Sequence, residues 1–443
     1  MAEGIQPSPT RRYCLYALGV IFFANFLSYL DRQIVSALEK ELREHFKLSD
    51  DQYGGLWTAF TIGYMVFAPI VGFFTDRASR PKVFAIAVFL WSLATIGSGL
   101  AHTPFQLYAA RFCIGIGEAG CLVLGPTMLS DYFPKEQRGR ALSIFFLGLP
   151  LGGTAGYIIG GFVAKHLGGW QNAFYIAGFP GILLTAVIWM LVDPPRGGTK
   201  GADVVAGAHG ADRVGGDAGR IRGIRPYFDL LKNRTLLLII LAQAFAVMFL
   251  VPLLHFGVGF FEKERGMAKN EATLTLGIIA LVAGALGNML SGVIGDKLTK
   301  RGFKGGYALL AGIAFTAGLP FLLIGFTSQA KVLALPALGM GAFCYFLCMP
   351  AVNTQIANTV SARQRAMAYA LAVFILHLLG DTAAPLVFGA ASRTMGRQQA
   401  FTVFSFALLL AGACCLLAWR TAAKDEAAAA AEGGAAPAAT PPH

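Results

Sequence analysis

Asp31 and Arg32 in "NFLSYLDRQIVSAL" (25–38), and Arg111 and Glu118 in "FQLYAARFCIGIGEAGCLVLGPTMLSDYF" (105–133), are charges set in runs apolar enough to cross a bilayer. A charge at the bilayer centre costs at least about 2.5–3.5 kcal/mol on insertion scales, so such residues face a partner or a cavity and mark function. Arg111 and Glu118 share one helix face but lie about 10 Å apart along the axis, too far to neutralise each other as an i,i+4 pair. Asp31 and Arg32 point about 100° apart, so neighbours in sequence are not partners in space. Counted inward from the outer helix ends, Asp31 and Arg111 lie at matching depths. This predicts that Asp31 meets Arg111 and that Arg32 turns toward Glu118 or the cavity. Desolvation disfavours a charged carboxylate, which makes Glu118, with Asp31, the candidate proton carrier. The competing reading is an outer-end Asp/Arg reaching for the interface plus a structural helix–helix salt bridge. His377 lies mid-span in "HLLGDTAAP" (377–385), suited to donate to an anionic head group or to relay a proton, with Asp381 one turn on. Arg32, Glu118, His377 and Asn353 are the candidate substrate contacts.

The elements that must hold these residues follow from composition. The 443-residue chain is 56% hydrophobic and 14% charged, with mean hydropathy +0.60, where a soluble domain carries about 25% charge. Apolar runs of about 20 residues, each able to span a core of roughly 30 Å, recur along it. They predict twelve helices at 13–38, 53–74, 83–101, 105–130, 139–165, 173–192, 235–261, 272–294, 306–327, 331–359, 365–391 and 399–420. The first run is too long for a cleaved signal and no small-residue cleavage site follows it. The glycines of "GIGEAG" (115–120) and "GLPLGGTAGYIIGG" (148–161) let helices approach closely, and Pro126 and Pro150 permit bending.

The net charge of +12 tracks topology rather than a nucleic-acid partner. With both termini inside, inner segments hold 24 Lys/Arg and outer loops 10, the positive-inside asymmetry of an inner-membrane protein with cytoplasmic termini. The seven cysteines form no disulfide or metal framework, and no cofactor is implied. The organisation predicted is a six-helix bundle over 1–192, a Gly/Arg-rich cytoplasmic linker over 193–234, a second six-helix bundle over 235–423 and a disordered Ala-rich tail over 424–443. Within the linker, "IRPYFDLLKNR" (224–234) has the pattern of a short surface helix.

The two halves repeat. "GFFTDRASRPK" (72–82) and "GVIGDKLTKRG" (292–302) follow the second and eighth spans with their first glycines 220 residues apart, and "LEKELREHF" (38–46) matches "FEKERGM" (261–267) before those spans. Internal duplication of this kind is the plan of a carrier with its site between halves near the midplane. A gate latch is expected at Gly72, Asp76, Arg77, Arg80, Asp131 and Asp296, with Arg77, Arg80 or Lys82 pairing to Asp131; ordinary positive-inside charges on a tight turn are the alternative.

"GFFTDRASRPK" resembles the G-x-x-x-D-R-x-x-R signature of the major facilitator superfamily, and the likeness covers all twelve spans. "LSYLDR", "RFCIGIGEA", "LSDYFPKEQRGRA" and "HLLGDTAAP" are together similar to the Spinster family of lysolipid and sphingolipid transporters. That resemblance implies proton-linked movement of amphipathic lipids by alternating access, with Asp31, Arg32, Arg111, Glu118 and His377 as functional positions. "LVFGAASRTMG" (386–396) departs from it by lacking an acidic residue soon after the glycine. The organic-anion symporters share the span-one "DR" and the span-four "G-x-G-E", so an organic-anion/proton symporter or an exporter of drug-like amphipaths is the alternative. The chain carries no H-E-x-x-H, G-x-S-x-G or P-loop motif, which argues against an enzyme. The expected partners are an amphipathic lipid or organic anion, protons and membrane lipids, with the protein a monomer.

Overall fold

In hydrocarbon every backbone N–H and C=O must be satisfied internally, so the apolar runs close into helices. The computed structural model of the chain describes residues 10–48, 50–75, 78–195, 225–382 and 384–434, and all regular structure within them is helical. The first half comprises α1 (Arg11–Ala37), α2 (Glu39–Phe46), α3 (Asp50–Phe74), α4 (Arg80–Gly99), α5 (Pro104–Tyr132), α6 (Lys135–Phe146), α7 (Gly148–His166) and α8 (Trp170–Trp189). A short α9 (Arg225–Leu231) precedes the second half, α10 (Arg234–Arg265), α11 (Lys269–Lys300), α12 (Gly306–Thr327), α13 (Lys331–Thr359), α14 (Arg365–Leu376), α15 (Ala384–Met395) and α16 (Arg397–Gly434). The helical pattern in "IRPYFDLLKNR" corresponds to α9.

Eleven described helices are long and apolar enough to cross a membrane, α6 and α7 together making one of them. The remaining predicted span, 365–391, is interrupted. After α14 the chain makes a π turn over His377–Asp381 before α15. Pro385 has no N–H to offer the Asp381 carbonyl, and Thr382 sends both its backbone N–H (3.0 Å) and its hydroxyl (2.9 Å) to the His377 carbonyl. A twelfth continuous helix is therefore replaced by a broken crossing at the residues the sequence singled out.

The duplication is visible in the packing. α3 lies on α5 as α11 lies on α13, α4 on α5 as α12 on α13, and α4 on α8 as α12 on α16. The second half buries its own continuous core from Leu230 to Ala418. In the first half α14 joins the core through Ala366, Ala370, Val373 and Leu376. Large apolar side chains such as Phe105, Ile158, Phe179 and Ile313 stay exposed on the outer faces, as a lipid-facing surface requires.

The bend between α6 and α7 shows how the helices tolerate breaks. Pro150 cannot donate to the Phe146 carbonyl, which accepts instead from Asn288 Nδ2 of α11 (3.2 Å), and the Phe145 carbonyl accepts from Asn25 Nδ2 of α1 (2.7 Å). Two side-chain amides, one from each half, thus replace the missing helical bonds.

The disordered tail expected from 424 does not hold for 424–434. α16 runs on to Gly434, and Glu426 is buried, 7% exposed. Its Oε1 accepts from the Gly305 N–H that begins α12 (3.2 Å) and from Gln355 Nε2 (3.1 Å), and its Oε2 accepts from Lys135 Nζ at the start of α6 (2.7 Å). A composition dominated by alanine hides one anchoring carboxylate. Residues 196–224 of the expected linker and 435–443 of the tail lie outside the described residues. Replacing Glu426 with Ala leaves the buried Gly305 N–H without its acceptor and removes the Gln355 and Lys135 contacts, a loss of about 1–3 kcal/mol. The expected outcome is a lower thermal midpoint for Glu426→Ala than for Asp425→Ala; equal midpoints contradict the anchoring role.

Candidate functional site

The charges converge where α1, α3 and α5 meet. Arg32 Nε donates to Glu118 Oε2 at 2.7 Å, and Ser28 Oγ, one turn earlier on the same face of α1, donates to the same oxygen at 2.9 Å. The Arg32 guanidinium is ringed by aromatic faces, 4.9 Å from the Tyr29 and Phe60 centroids and 5.0 Å from that of Tyr64. Such cation–π contacts stabilise a cation that has lost its water. The packing needed for this depends on Gly115 and Gly117. A Cβ at Gly115 would stand 2.9 Å from the Tyr64 nitrogen, and one at Gly117 would stand 2.7 Å from the Ala87 carbonyl oxygen. Glycine lets α5 carry Glu118 against both α3 and α4.

The seam between halves runs past this pair. The Tyr64 ring packs edge-on against His377 with centroids 4.5 Å apart. His377, buried in the π turn, pairs through Nδ1 with Asp381. Four polar atoms close to this junction have no partner among the described residues: Glu118 Oε1, Arg32 Nη2, Tyr64 Oη and His377 Nε2. Buried polar groups are rarely left so, and these four come from both halves.

Asp31 and Arg111 do not pair as the matched depths predicted. Asp31 Oδ2 accepts instead from Thr95 Oγ1 of α4 at 3.0 Å, and Arg111 lies over the Phe60 ring at 5.5 Å with its Nε and Nη1 lacking a partner among the described residues. Depth alone did not register a competing hydroxyl from a third helix. Asn353 also sits apart from the central cluster. Its Nδ2 donates to the Met349 carbonyl of its own helix (2.9 Å) and its carbonyl accepts from Tyr369 (2.7 Å). Ser28, Thr95, Tyr29, Phe60 and Tyr64 went unremarked in the sequence. Helical spacing was a usable signal for Ser28 and Tyr29, four and three residues before Arg32.

At the end of the bundle where α1 begins and α16 finishes, the halves are tied together. Asp131, at the foot of α5, accepts from Arg80 of α4 and from Arg365 of α14. Arg138 of α6 reaches the opposite way to Asn358 of α13. Each of these two arginines also steadies itself at the helix foot, Arg138 Nε on the Ser130 carbonyl and Arg365 Nε on the Ala357 carbonyl, both at 3.1 Å. Arg138 and Arg365, Ser130 and Ala357, and Asp131 and Asn358 are all 227 residues apart. The closure is a pair of crossed braces related by the internal repeat. Asp296 of α11 adds a third tie, accepting from the Gly139 N–H (3.2 Å) and the Arg140 N–H (3.3 Å) of α6 and forming an ion pair with the Arg140 guanidinium (3.3 Å). A Cβ at Gly72 would stand 2.8 Å from the Ala370 Cβ of α14, so glycine is what allows α3 to lie this close. Arg80 further binds Asp193 Oδ1 through Nε at 2.7 Å. Asp76 and Arg77 lie outside the described residues. At the other end, the ties Arg265–Gln329 and Lys331–Glu271 stay within the second half.

A twofold-repeated helical membrane protein, closed across one end and holding a buried charge cluster at its seam, is a transporter rather than an enzyme. The chain belongs to the Major Facilitator Superfamily, whose family profile matches residues 21–385. Among curated proteins it is similar to protein spinster of Drosophila melanogaster, 27% identical over 414 residues, covering 88% of this chain and 65% of the fly protein's length. It is likewise similar to the sphingosine-1-phosphate transporter SPNS2 of Danio rerio, 28% identical over 89% of this chain and 81% of that one. Among solved structures it resembles a bacterial homolog of the human lysosomal transporter Spinster, described as inward-facing and unoccupied, at TM-score 0.64 and 23% identity over 94% of this chain and 99% of that one. The human organic anion transporter MFSD10 superposes at TM-score 0.71 with 16% identity, covering 91% of this chain and 99% of that one.

The crossed braces are testable by spin labels at the exposed Gln137 and Arg363, one on each half. Arg365→Gln is expected to add a longer-distance population, because Asp131 loses its partner from the second half. Asn358→Asp is expected to suppress that population by giving Arg138 an ionic acceptor. Identical distance distributions in all three proteins contradict the brace.

Proposed function

We propose that this protein is a proton-coupled carrier of an amphipathic, lipid-like substrate of the lysophospholipid or sphingolipid class, working by alternating access in the inner membrane as a monomer with both termini cytoplasmic. The halves 1–192 and 235–423 are the moving bodies. The carrying observation is Glu118, fully buried, held by Arg32 and Ser28 on one oxygen and bare on the other, beside a seam where Tyr64 meets His377. With the basic end taken as cytoplasmic, the braces at Asp131, Arg138 and Asp296 describe a carrier shut toward the cytoplasm.

A proton on Glu118 removes the negative partner of Arg32. A buried cation left alone is costly, so the guanidinium then has reason to take an anionic head group, while the aromatic ring of Tyr29, Phe60 and Tyr64 offers apolar faces to the adjoining hydrocarbon. His377 Nε2, held in orientation by Asp381 on the other ring nitrogen, can donate to the same head group. The similarity to proteins named for spinster and for sphingosine-1-phosphate transport supports the lipid class.

Measure the Gln137–Arg363 label distance across a pH series. The parent is expected to shift population with pH, and Glu118→Gln, fixed as neutral, to stop responding; an unaltered response in Glu118→Gln overturns its proton role. A second reading, transport of a small organic anion, draws on the partnerless nitrogens of Arg111. Thermal shift with lysophospholipids against small organic anions separates the two, because a ligand bound to the native state raises the midpoint with concentration.

A further inference from the structure

Hydroxyls inside helices ordinarily bond back to the carbonyl four residues earlier. Thr127, Thr154, Thr185, Thr316 and Ser405 do so here. Thr95 and Ser28 instead turn their hydroxyls onto carboxylates of another helix, Thr95 onto Asp31 and Ser28 onto Glu118. Ser28 reinforces an ion pair that already exists. Thr95 stands where an ion pair is missing.

Asp31 and Arg111 are 2% and 1% exposed, lie on the packed helices α1 and α5, and carry opposite charges. Asp31 Oδ1 and Arg111 Nε and Nη1 have no partner among the described residues, yet the two side chains are not joined. The other charged side chains of the cluster are Arg32 on α1, which is committed to Glu118, and Glu118 on α5; from α4, among the described residues, the neutral Thr95 bonds to Asp31. Two buried opposite charges left apart need something to hold them apart. The Thr95 hydroxyl holds one, and the Phe60 ring shields the other.

We infer that Thr95 is a positioning residue that withholds Asp31 from Arg111 in this closed-base state, so that Asp31 pairs with either Thr95 or Arg111 according to the arrangement of the halves. The inference builds on the proposed carrier role of the cluster and adds a named switch partner from α4. Without the hydroxyl, Asp31 loses its charge-assisted donor, and the Arg111 guanidinium on the neighbouring helix is the opposite charge left to take it.

Thermal-unfolding cycles on the purified full chain test this directly. Asp31→Asn, Arg111→Gln and the double substitution are made in the parent and in Thr95→Val. Near-additive midpoint shifts are expected in the parent. In Thr95→Val each single substitution should lower the midpoint more than in the parent, and the double should lower it by clearly less than their sum, the signature of a formed pair. Thr95→Ser, which restores the hydroxyl, should return to additivity, and Thr95→Ala should repeat the valine result. Additive shifts in both Thr95→Val and Thr95→Ala overturn the inference, as does strong coupling already present in the parent. The cycles do not depend on proton transport. A parent whose label distance ignores pH sinks the proton reading, while the cycles still decide the role of Thr95.

Discussion

The Arg32–Glu118 pair is made in a medium where neither charge can be left alone. Removing one partner of a buried ion pair costs about 3–5 kcal/mol because the other stays desolvated, so the surroundings are organised around keeping both matched. α5 approaches α3 and α4 through Gly115 and Gly117, Ser28 adds a second donor to the carboxylate, and three aromatic rings face the guanidinium. The same constraint makes the pair useful. Where an unmatched charge is this costly, the proposed response to a proton or an anionic ligand is an exchange of partners rather than a small adjustment. Glu118, Arg32 and His377 each keep a buried polar atom without a partner among the described residues.

The braces at the basic end express the duplication in chemical detail. One arginine from each half crosses to the other, and each is oriented by a carbonyl eight residues earlier in its own half. The symmetry is incomplete in one respect. Arg365 meets a carboxylate, Asp131, whereas Arg138 meets an amide, Asn358. The second brace is the weaker, since a neutral acceptor lacks the ionic contribution. A closure of graded strength suits the proposed alternating-access cycle, in which this end reopens.

Much of this was legible because charge in an apolar helix is expensive and therefore conspicuous. Asp31, Arg32, Arg111 and Glu118 announced themselves, and helical phase set Asp31 and Arg32 on different faces, leaving Arg32 either to Glu118 or to the cavity; in the structure it meets Glu118. The duplicated loops suggested the two-half plan and contain Arg80 and Asp296, while Asp131, at the end of the fourth apolar run, was expected as a partner for the basic loop residues. What failed to show was choice among neutral partners. Asp31 had two available partners at one depth, and only the placement of α4 made Thr95 the nearer. Asn353 read as a cavity contact because an amide in a span is conspicuous, yet its own helix satisfies it. Glu426 was hidden by the opposite effect, a single carboxylate in an alanine-rich segment that resembles a solvated tail. The break at His377–Asp381 needed the backbone itself, since Pro385 signals a bend without fixing where the extra residue enters.

The claim on which the account stands is that the proton resides on Glu118. Infrared difference spectroscopy of the reconstituted protein, acidic minus neutral, reads this without transport: the account predicts a protonated-carboxyl band that vanishes in Glu118→Gln and persists in Glu426→Gln. A parent spectrum without that band, or one unchanged in Glu118→Gln, contradicts it.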